Sequence, residues 1–313
     1  MIKSMHSNRP FLPEELFQRQ EAEAALADIL KAERLSDQSI QFLGIGRNAV
    51  FATKQKVIKI TPAKHTAIET LQAQIDLANF LYQNQFPIAN SLIDNPLQGS
   101  VQGNDYLATV WRRIPKESQC QLVNLGEMIS LFHELTKNYS GKLAQFDYLE
   151  KMNYRFQAIE KADLLSDSDL EVLAQFLDQK RLQWKKEKSS LRNGIIHGDV
   201  HLENIISTKK GSYLVDLDWI SQGALENDLF KVFDRRFTGS KKTENLFFEG
   251  YGIDPNEYPR IGILQNLRLF SDFSRLLQNY GKSEANEIQK RMIYWRNNLD
   301  EEAPLWSPQQ ARQ

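Results

Sequence analysis

The sequence predicts an α+β fold, with strands gathered toward the N-terminus and helices toward the C-terminus. Three observations carry this prediction. Residues 40–60 and 106–115 read as short apolar strands, the first run interrupted by a turn bearing Gly44 and Gly46. Residues 66–84, 122–137 and 142–188 carry apolar side chains at helical spacing, and that pattern resumes over 243–252 and 258–296. Between these stretches, Ile205–Ile206 and Tyr213–Val215 flank a polar turn from Thr208 to Ser212, which reads as a hairpin.

Composition narrows the class. The chain has 313 residues, enough for one large domain or two moderate ones. A net charge of −1 gives no basic surplus for nucleic acid or an anionic membrane, and no acidic surplus for a polycationic partner. The single cysteine, Cys120, rules out an internal disulfide and fits a reducing compartment. Met1–Pro10 has no apolar run of the signal-peptide kind, and no uninterrupted apolar stretch is long enough to span a bilayer. The expected setting is therefore the cytoplasm, with neither nucleic acid nor membrane as a partner.

In chain order, residues 12–34 carry Leu12, Leu16, Ala22, Ala25, Leu26, Ile29 and Leu30 at roughly helical spacing, an amphipathic helix or two. Gly44 and Gly46 allow the backbone to approach a ligand closely, and the amides of such a turn can face phosphate oxygens. Val57-Ile58-Lys59-Ile60 is the next strand. Its lysine is either a solvent-facing residue of an edge strand or a cation with a task. In the helix over 66–84, Leu71, Ile75, Ala78 and Tyr82 line one face. Tyr106 to Pro115 is an apolar strand that breaks at the proline, and Trp111 within it reads as packing. Leu122 to Lys137 presents Leu125, Met128, Ile129, Phe132 and Leu135 on one face. Residues 142–188 are charged and helical in pattern, and the tail from Glu301 is polar with two prolines.

The chemistry is concentrated between Ile195 and Trp219. Ile195 and Ile196 lead into His197-Gly198-Asp199, and Asn204 follows Asp199 by five residues. The hairpin returns at Val215-Asp216, so its ends should bring Asn204 and Asp216 side by side, with Asp199 facing the same space. That arrangement supplies one carboxylate free to act as a base, and one amide and one carboxylate able to hold a cation. Phosphoryl transfer from a nucleotide asks for these parts: in-line positioning, charge neutralisation by magnesium, and a group that takes the acceptor's proton. His197 and His201 could be read as zinc ligands, but no third ligand stands at a typical spacing.

His197-Gly198-Asp199-x-His201-x-x-Asn204 followed by Val215-Asp216-x-Asp218 resembles the Brenner motif and metal-binding segment of the aminoglycoside phosphotransferase and choline kinase superfamily. The resemblance runs over about residues 40–300 and is most specific in 195–230. It implies the bilobal fold of protein kinases. A nucleotide-binding lobe would cover 1–113, with residues 1–39 as a helical extension, and a catalytic and acceptor-binding lobe would cover 114–313. It implies ATP as donor, with GTP as the alternative, together with Mg2+ and a small-molecule hydroxyl as acceptor. Asp199 would be the catalytic base, and Asn204 and Asp216 the metal ligands. Lys59 would hold the α and β phosphates under the loop of Gly44, Gly46 and Asn48. Backbone groups near Val110 to Arg112 would meet the adenine. His197, His201, His133 and Asp228 would be structural, the last capping a helix and bracing the catalytic loop, while Asp218 is either support or an acceptor contact.

One departure from the pattern stands out. Relatives place a Glu on the helix after the lysine strand, whereas Gln74 falls there, with Glu69 a turn earlier as the alternative partner for Lys59. A pseudokinase is motivated by this departure. A protein kinase is a further reading, opposed by Asp216-Leu217-Asp218 where such enzymes carry Asp-Phe-Gly, and by the lack of an Ala-Pro-Glu segment. The acceptor could be an aminoglycoside, another antibiotic, a sugar or an amino alcohol. Glu226, Asp234, Glu301 and Glu302 are carboxylates available to a cationic one.

Overall fold

A computed structural model describes residues 17–32, 39–230, 241–254 and 285–297, together with 264, 270, 271, 273, 274, 276 and 277. The expectations for Leu12, Leu16, Asp234, Glu301, Glu302 and the C-terminal tail lie outside these residues, as does most of the predicted 258–284 helix. The architecture is α+β, with an antiparallel sheet in the first part and helices dominating the rest.

The sheet holds five strands: β1 (Gln41–Ile45), β2 (Ala49–Ala52), β3 (Lys56–Pro62), β4 (Leu97–Val101) and β5 (Asn104–Arg112). Their spatial order is β1-β2-β3-β5-β4. Strand alternation divides the sheet's side chains between two cores. Ile58 and Ile60 of β3 and Ala108 and Val110 of β5 pack with Ala22, Ala25, Leu26 and Ile29 of α1 (Arg19–Ala32). On the other face, Val57 and Trp111 join the central core with Leu81, Ile129, Phe132, Leu214 and Leu217. Lys59 has the parity of Val57 and so stands on this second face, beside the catalytic half of the chain.

Helix α2 (Ile68–Gln83) buries Leu71, Gln74, Ile75, Leu77, Ala78 and Leu81. Tyr82, expected on that face, is exposed, and the Arg112 guanidinium lies 5.8 Å from its ring centroid. Tyr82 follows Ala78 by four residues on the buried side, but it stands in the last turn of the helix, next to its end at Gln83.

The helical half contains α3 (Leu122–Thr136), α4 (Tyr148–Lys161) and α5 (Asp167–Glu187). The sequence pattern over 142–188 gave no Gly or Pro break, yet the chain makes two helices there. Asp147 caps α4 by accepting from the Leu149 and Glu150 amides, and Ser166 caps α5 by accepting from the Asp169 amide. Two small sheets follow. β6 (Asn193–Ile196) pairs antiparallel with β9 (Ser221–Ala224), and β7 (Ile205–Thr208) with β8 (Gly211–Leu214). Helices α6 (Glu226–Phe230), α7 (Lys241–Tyr251) and α8 (Ala285–Asn297) complete the described elements. α3 and α7 meet backbone to backbone: a Cβ on Gly126 would lie 2.0 Å from the Phe247 carbonyl oxygen, and one on Gly250 would lie 2.0 Å from that of Val123. Among the described residues no helix is long and apolar enough to cross a membrane.

Candidate active site

β6 delivers the chain into His197-Gly198-Asp199 and β9 pairs alongside it, so the loop is held at its base. Gly198 has φ +78°, and a Cβ there would lie 2.4 Å from the Trp219 carbonyl oxygen, so only glycine fits this turn. Buried Asp228 on α6 fixes the loop from behind. One carboxylate oxygen accepts from the His197 amide at 2.6 Å and the other from the Gly198 amide at 2.8 Å. His133 on α3 bridges to this carboxylate, its Nε2 3.0 Å from Asp228 and its Nδ1 2.8 Å from the Tyr251 hydroxyl of α7. A buried carboxylate with this many partners is stable only in one geometry, and it transmits that geometry to the loop.

The Asp199 side chain faces His201, whose Nε2 is 3.1 Å from its Oδ2. Asn204 lies at the end of a 3-10 turn and donates from Nδ2 to the Asp199 carbonyl oxygen at 2.8 Å and to the Asp199 carboxylate at 3.3 Å. Both bonds use the nitrogen, so the Asn204 Oδ1 remains available to a ligand. The register of β7 and β8 pairs Ile205 with Leu214, and the Val215 amide donates to the Asn204 carbonyl oxygen at 3.0 Å. Val215 therefore stands opposite Asn204, and Asp216 is the next residue. Asp216 adopts φ +66°, a left-handed conformation that costs a non-glycine residue on the order of 1–3 kcal/mol and that tends to occur at functional sites. His197 Nε2 stands 3.2 Å from the Val215 carbonyl oxygen and ties the loop to the hairpin end.

Lys59 reaches across from β3. Its Nζ is 2.7 Å from Asp216 Oδ1 and 3.0 Å from Asp218 Oδ1. Burial alone would lower the ammonium's pKa, but the Asp218 and Asp216 carboxylates raise it, so Lys59 is firmly charged. For Asp216, burial pushes the pKa up and Lys59 pulls it down more strongly, to about 2. For Asp218 burial wins: with the Asp216 charge alongside, its pKa is raised in spite of Lys59. Asp218 also accepts from Asn48 Nδ2, whose Oδ1 in turn accepts from the Thr61 hydroxyl at 2.7 Å. Next to Asn48, the Arg47 guanidinium lies 5.1 Å from the Trp219 ring centroid and donates to the His65 carbonyl oxygen at 3.2 Å.

The structure thus brings Lys59, Asn48, Asp199, Asn204 and Asp216 into one region, and it corrects the expected partner of Lys59. Lys59 takes its anions from Asp216 and Asp218 rather than from the α2 helix: Glu69 is exposed and Gln74, though buried, makes no bond to it. The Val110 carbonyl accepts from the Leu92 amide at 2.8 Å and the Arg112 amide donates to the Asn90 carbonyl at 3.0 Å, so these two groups serve the protein's own backbone. Glu226 is buried and bound to the Arg192 amide and guanidinium. Gly44 and Gly46 both have open space where a Cβ would stand, so neither is required by packing. Sequence reasoning missed Arg47 and Thr61; an Arg beside a glycine turn was the available signal for the first.

A five-stranded sheet carrying a lysine, set against a helical half with this loop and hairpin, defines a kinase-like phosphotransferase. The model of the phosphotransferase enzyme family matches residues 39–264, and the chain belongs to that family. Its fold is similar to that of the amicoumacin kinase hAmiN in complex with AMP-PNP, Ca2+ and amicoumacin (TM-score 0.67, 17% identity, 93% of this chain and 98% of that one). It is also similar to the GDP complex of an aminoglycoside 2′-phosphotransferase of type IIIa (TM-score 0.60, 14% identity, 88% and 98%). A third similar structure is the choline kinase LicA from Streptococcus pneumoniae (TM-score 0.59, 16% identity, 87% and 98%). No curated protein matches the chain in sequence.

Proposed function

We propose that the protein transfers the γ-phosphoryl group of a nucleoside triphosphate, ATP or GTP, to a hydroxyl of a small molecule. The observation that carries this reading is the meeting of Lys59 from the sheet with Asp199, Asn204 and Asp216 from the loop and hairpin. The nucleotide would lie between the sheet and the helical half, which divide near residue 113, with its phosphates drawn to Lys59.

The residues fit a hard cation. The Asn204 Oδ1 is available, and Asp216 stays ionised far below neutral pH. Magnesium takes few ligands from protein and the rest from phosphate and water, so an Asn and an Asp suffice. When bound there, it would neutralise charge on the phosphates. Asp199 orients the acceptor hydroxyl and accepts its proton. The acceptor oxygen forms a bond to the γ phosphorus, the bond to the β–γ bridging oxygen breaks, and the nucleoside diphosphate leaves with that electron pair. His201 and Asn204 hold the Asp199 carboxylate in place for this.

The similar structures include enzymes named for amicoumacin, an aminoglycoside and choline, which supports an aminoglycoside-like antibiotic, sugar or amino alcohol as acceptor class. The test is a nucleotide-consumption screen over aminoglycosides, other antibiotics, sugars and amino alcohols with Mg2+. Acceptor-dependent nucleoside diphosphate release, together with a product heavier by one phosphate, is expected for one class. Nucleotide binding without turnover for any class would leave a regulatory nucleotide-binding protein instead.

A further inference from the structure

We propose that Arg47, at the tip of the β1–β2 loop, is a second phosphate-binding cation that grips the nucleotide's terminal phosphate as it passes toward Asp199; this deepens and rests on the nucleotide-dependent reading above. The observation is an incomplete set of partners. A guanidinium presents five N–H donors in a planar fork suited to phosphate oxygens. In Arg47 one donates to the His65 carbonyl and the face of the group rests on the Trp219 ring. The Asp218 and Asp216 charges act on it, yet neither forms an ion pair with it. Burial costs this guanidinium part of its hydration, lowering its pKa in spite of those carboxylates. A partly desolvated cation with unused donors binds an incoming anion well.

Its position selects which anion. Trp219 follows Asp218, which is bound to Lys59, and its backbone and Cβ press on Gly198, the neighbour of Asp199. Arg47 therefore stands between the lysine that attracts the nucleotide and the loop that receives the acceptor. Asn48 holds it there, because the next residue of the loop is fastened to both Thr61 and Asp218. On the proposed function, Lys59 is the point charge for the inner phosphates. The outermost phosphate, which must travel, falls to the longer side chain. On this view the stack on Trp219 is where Arg47 rests before the nucleotide binds.

The test compares Mg2+ complexes of a non-hydrolysable nucleoside triphosphate analogue and of the corresponding diphosphate, by calorimetry, on the parent protein, Arg47→Ala and Arg47→Lys. The proposal expects Arg47→Ala to weaken the triphosphate analogue about tenfold or more and the diphosphate by less than about threefold, the size of one lost charge-assisted contact. Arg47→Lys should fall between, because an ammonium keeps the charge and loses the fork. If Arg47→Ala changes both ligands by the same factor, in either direction, Arg47 is only a clasp on Trp219 and the proposal fails while nucleotide binding stands. If the parent binds neither nucleotide, the functional reading itself fails, and this proposal with it. Arg47 lies on a loop and is not part of a core, so a thermal melt matching the parent's confirms that each variant is folded.

Discussion

Asn48 and Asp218, separated by 170 positions in the chain, are joined by a hydrogen bond from the Asn48 amide to an Asp218 carboxylate oxygen. The bond closes the β1–β2 loop onto the segment that follows β8, and Thr61 fixes the other end of the Asn48 side chain. With Lys59 on the same carboxylate, Asp218 is the point where sheet and catalytic segment meet.

That contact should be measurable as a coupling. Asn48→Ala is expected to lower stability by about 1–2 kcal/mol, since it removes one hydrogen bond to a charged group and orphans the Thr61 hydroxyl. A double-mutant cycle with Asp218→Asn, read by urea unfolding, should return a clear interaction energy. Strictly additive losses would mean that the bond does not hold the loop.

The two aspartates around Lys59 should titrate apart. Asp216 is held down to about 2 and Asp218 is raised above the ordinary carboxylate value. Acidification from neutral pH should therefore protonate Asp218 first. A lowered carboxylate pKa stabilises the fold above the unfolded value of 3.8, and that contribution is lost as the pH falls toward about 2. Carboxyl-carbon NMR on the intact protein can follow both groups. Lys59→Met should raise the Asp216 transition from about 2, because the largest opposition to burial is then removed. An unchanged Asp216 transition in that variant would refute the pairing.

The exposed Glu69 should be silent. Glu69→Gln is expected to leave Mg2+–nucleotide affinity within about twofold of the parent, well under 1 kcal/mol. A loss as large as that of Lys59→Ala would restore the helix carboxylate as the lysine's partner.

These residues mark how far the sequence could be read. The catalytic loop, the hairpin and the first three strands were legible because each has a local signature: a glycine turn, a period-two run, or a fixed step from Asp199 to Asn204. The partner of Lys59 was not, because it comes from 157 residues away and nothing in the periodicity of α2 tells a lysine to look elsewhere. β9 escaped notice because Ser221-Gln222-Gly223-Ala224 has no alternating pattern and becomes a strand only beside β6. The division of 142–188 into two helices depends on the caps Asp147 and Ser166, which are weaker signals than a Gly or Pro break. The backbone contacts of Val110 and Arg112 with 90–92 follow from tertiary pairing alone.

Asp228 should be costly to change although it touches no ligand. Asp228→Ala leaves the His197 and Gly198 amides without their acceptor and His133 without its carboxylate. A loss on the order of 3 kcal/mol or more in urea unfolding is expected, since each orphaned buried donor costs about 1–3 kcal/mol. A variant as stable as the parent would show that other groups hold the loop.

The most direct measurement is single-turnover phosphate transfer to the acceptor found by the screen, compared between the parent and Asp199→Asn, with Mg2+–nucleotide affinity measured on both. Asn keeps the size of the side chain and removes the basic oxygen. Transfer should fall roughly 100- to 10,000-fold, the worth of a positioned base, while nucleotide affinity stays within about threefold, under 1 kcal/mol. Transfer at near-parent rate in Asp199→Asn would contradict the assignment of Asp199 as the group that takes the acceptor's proton.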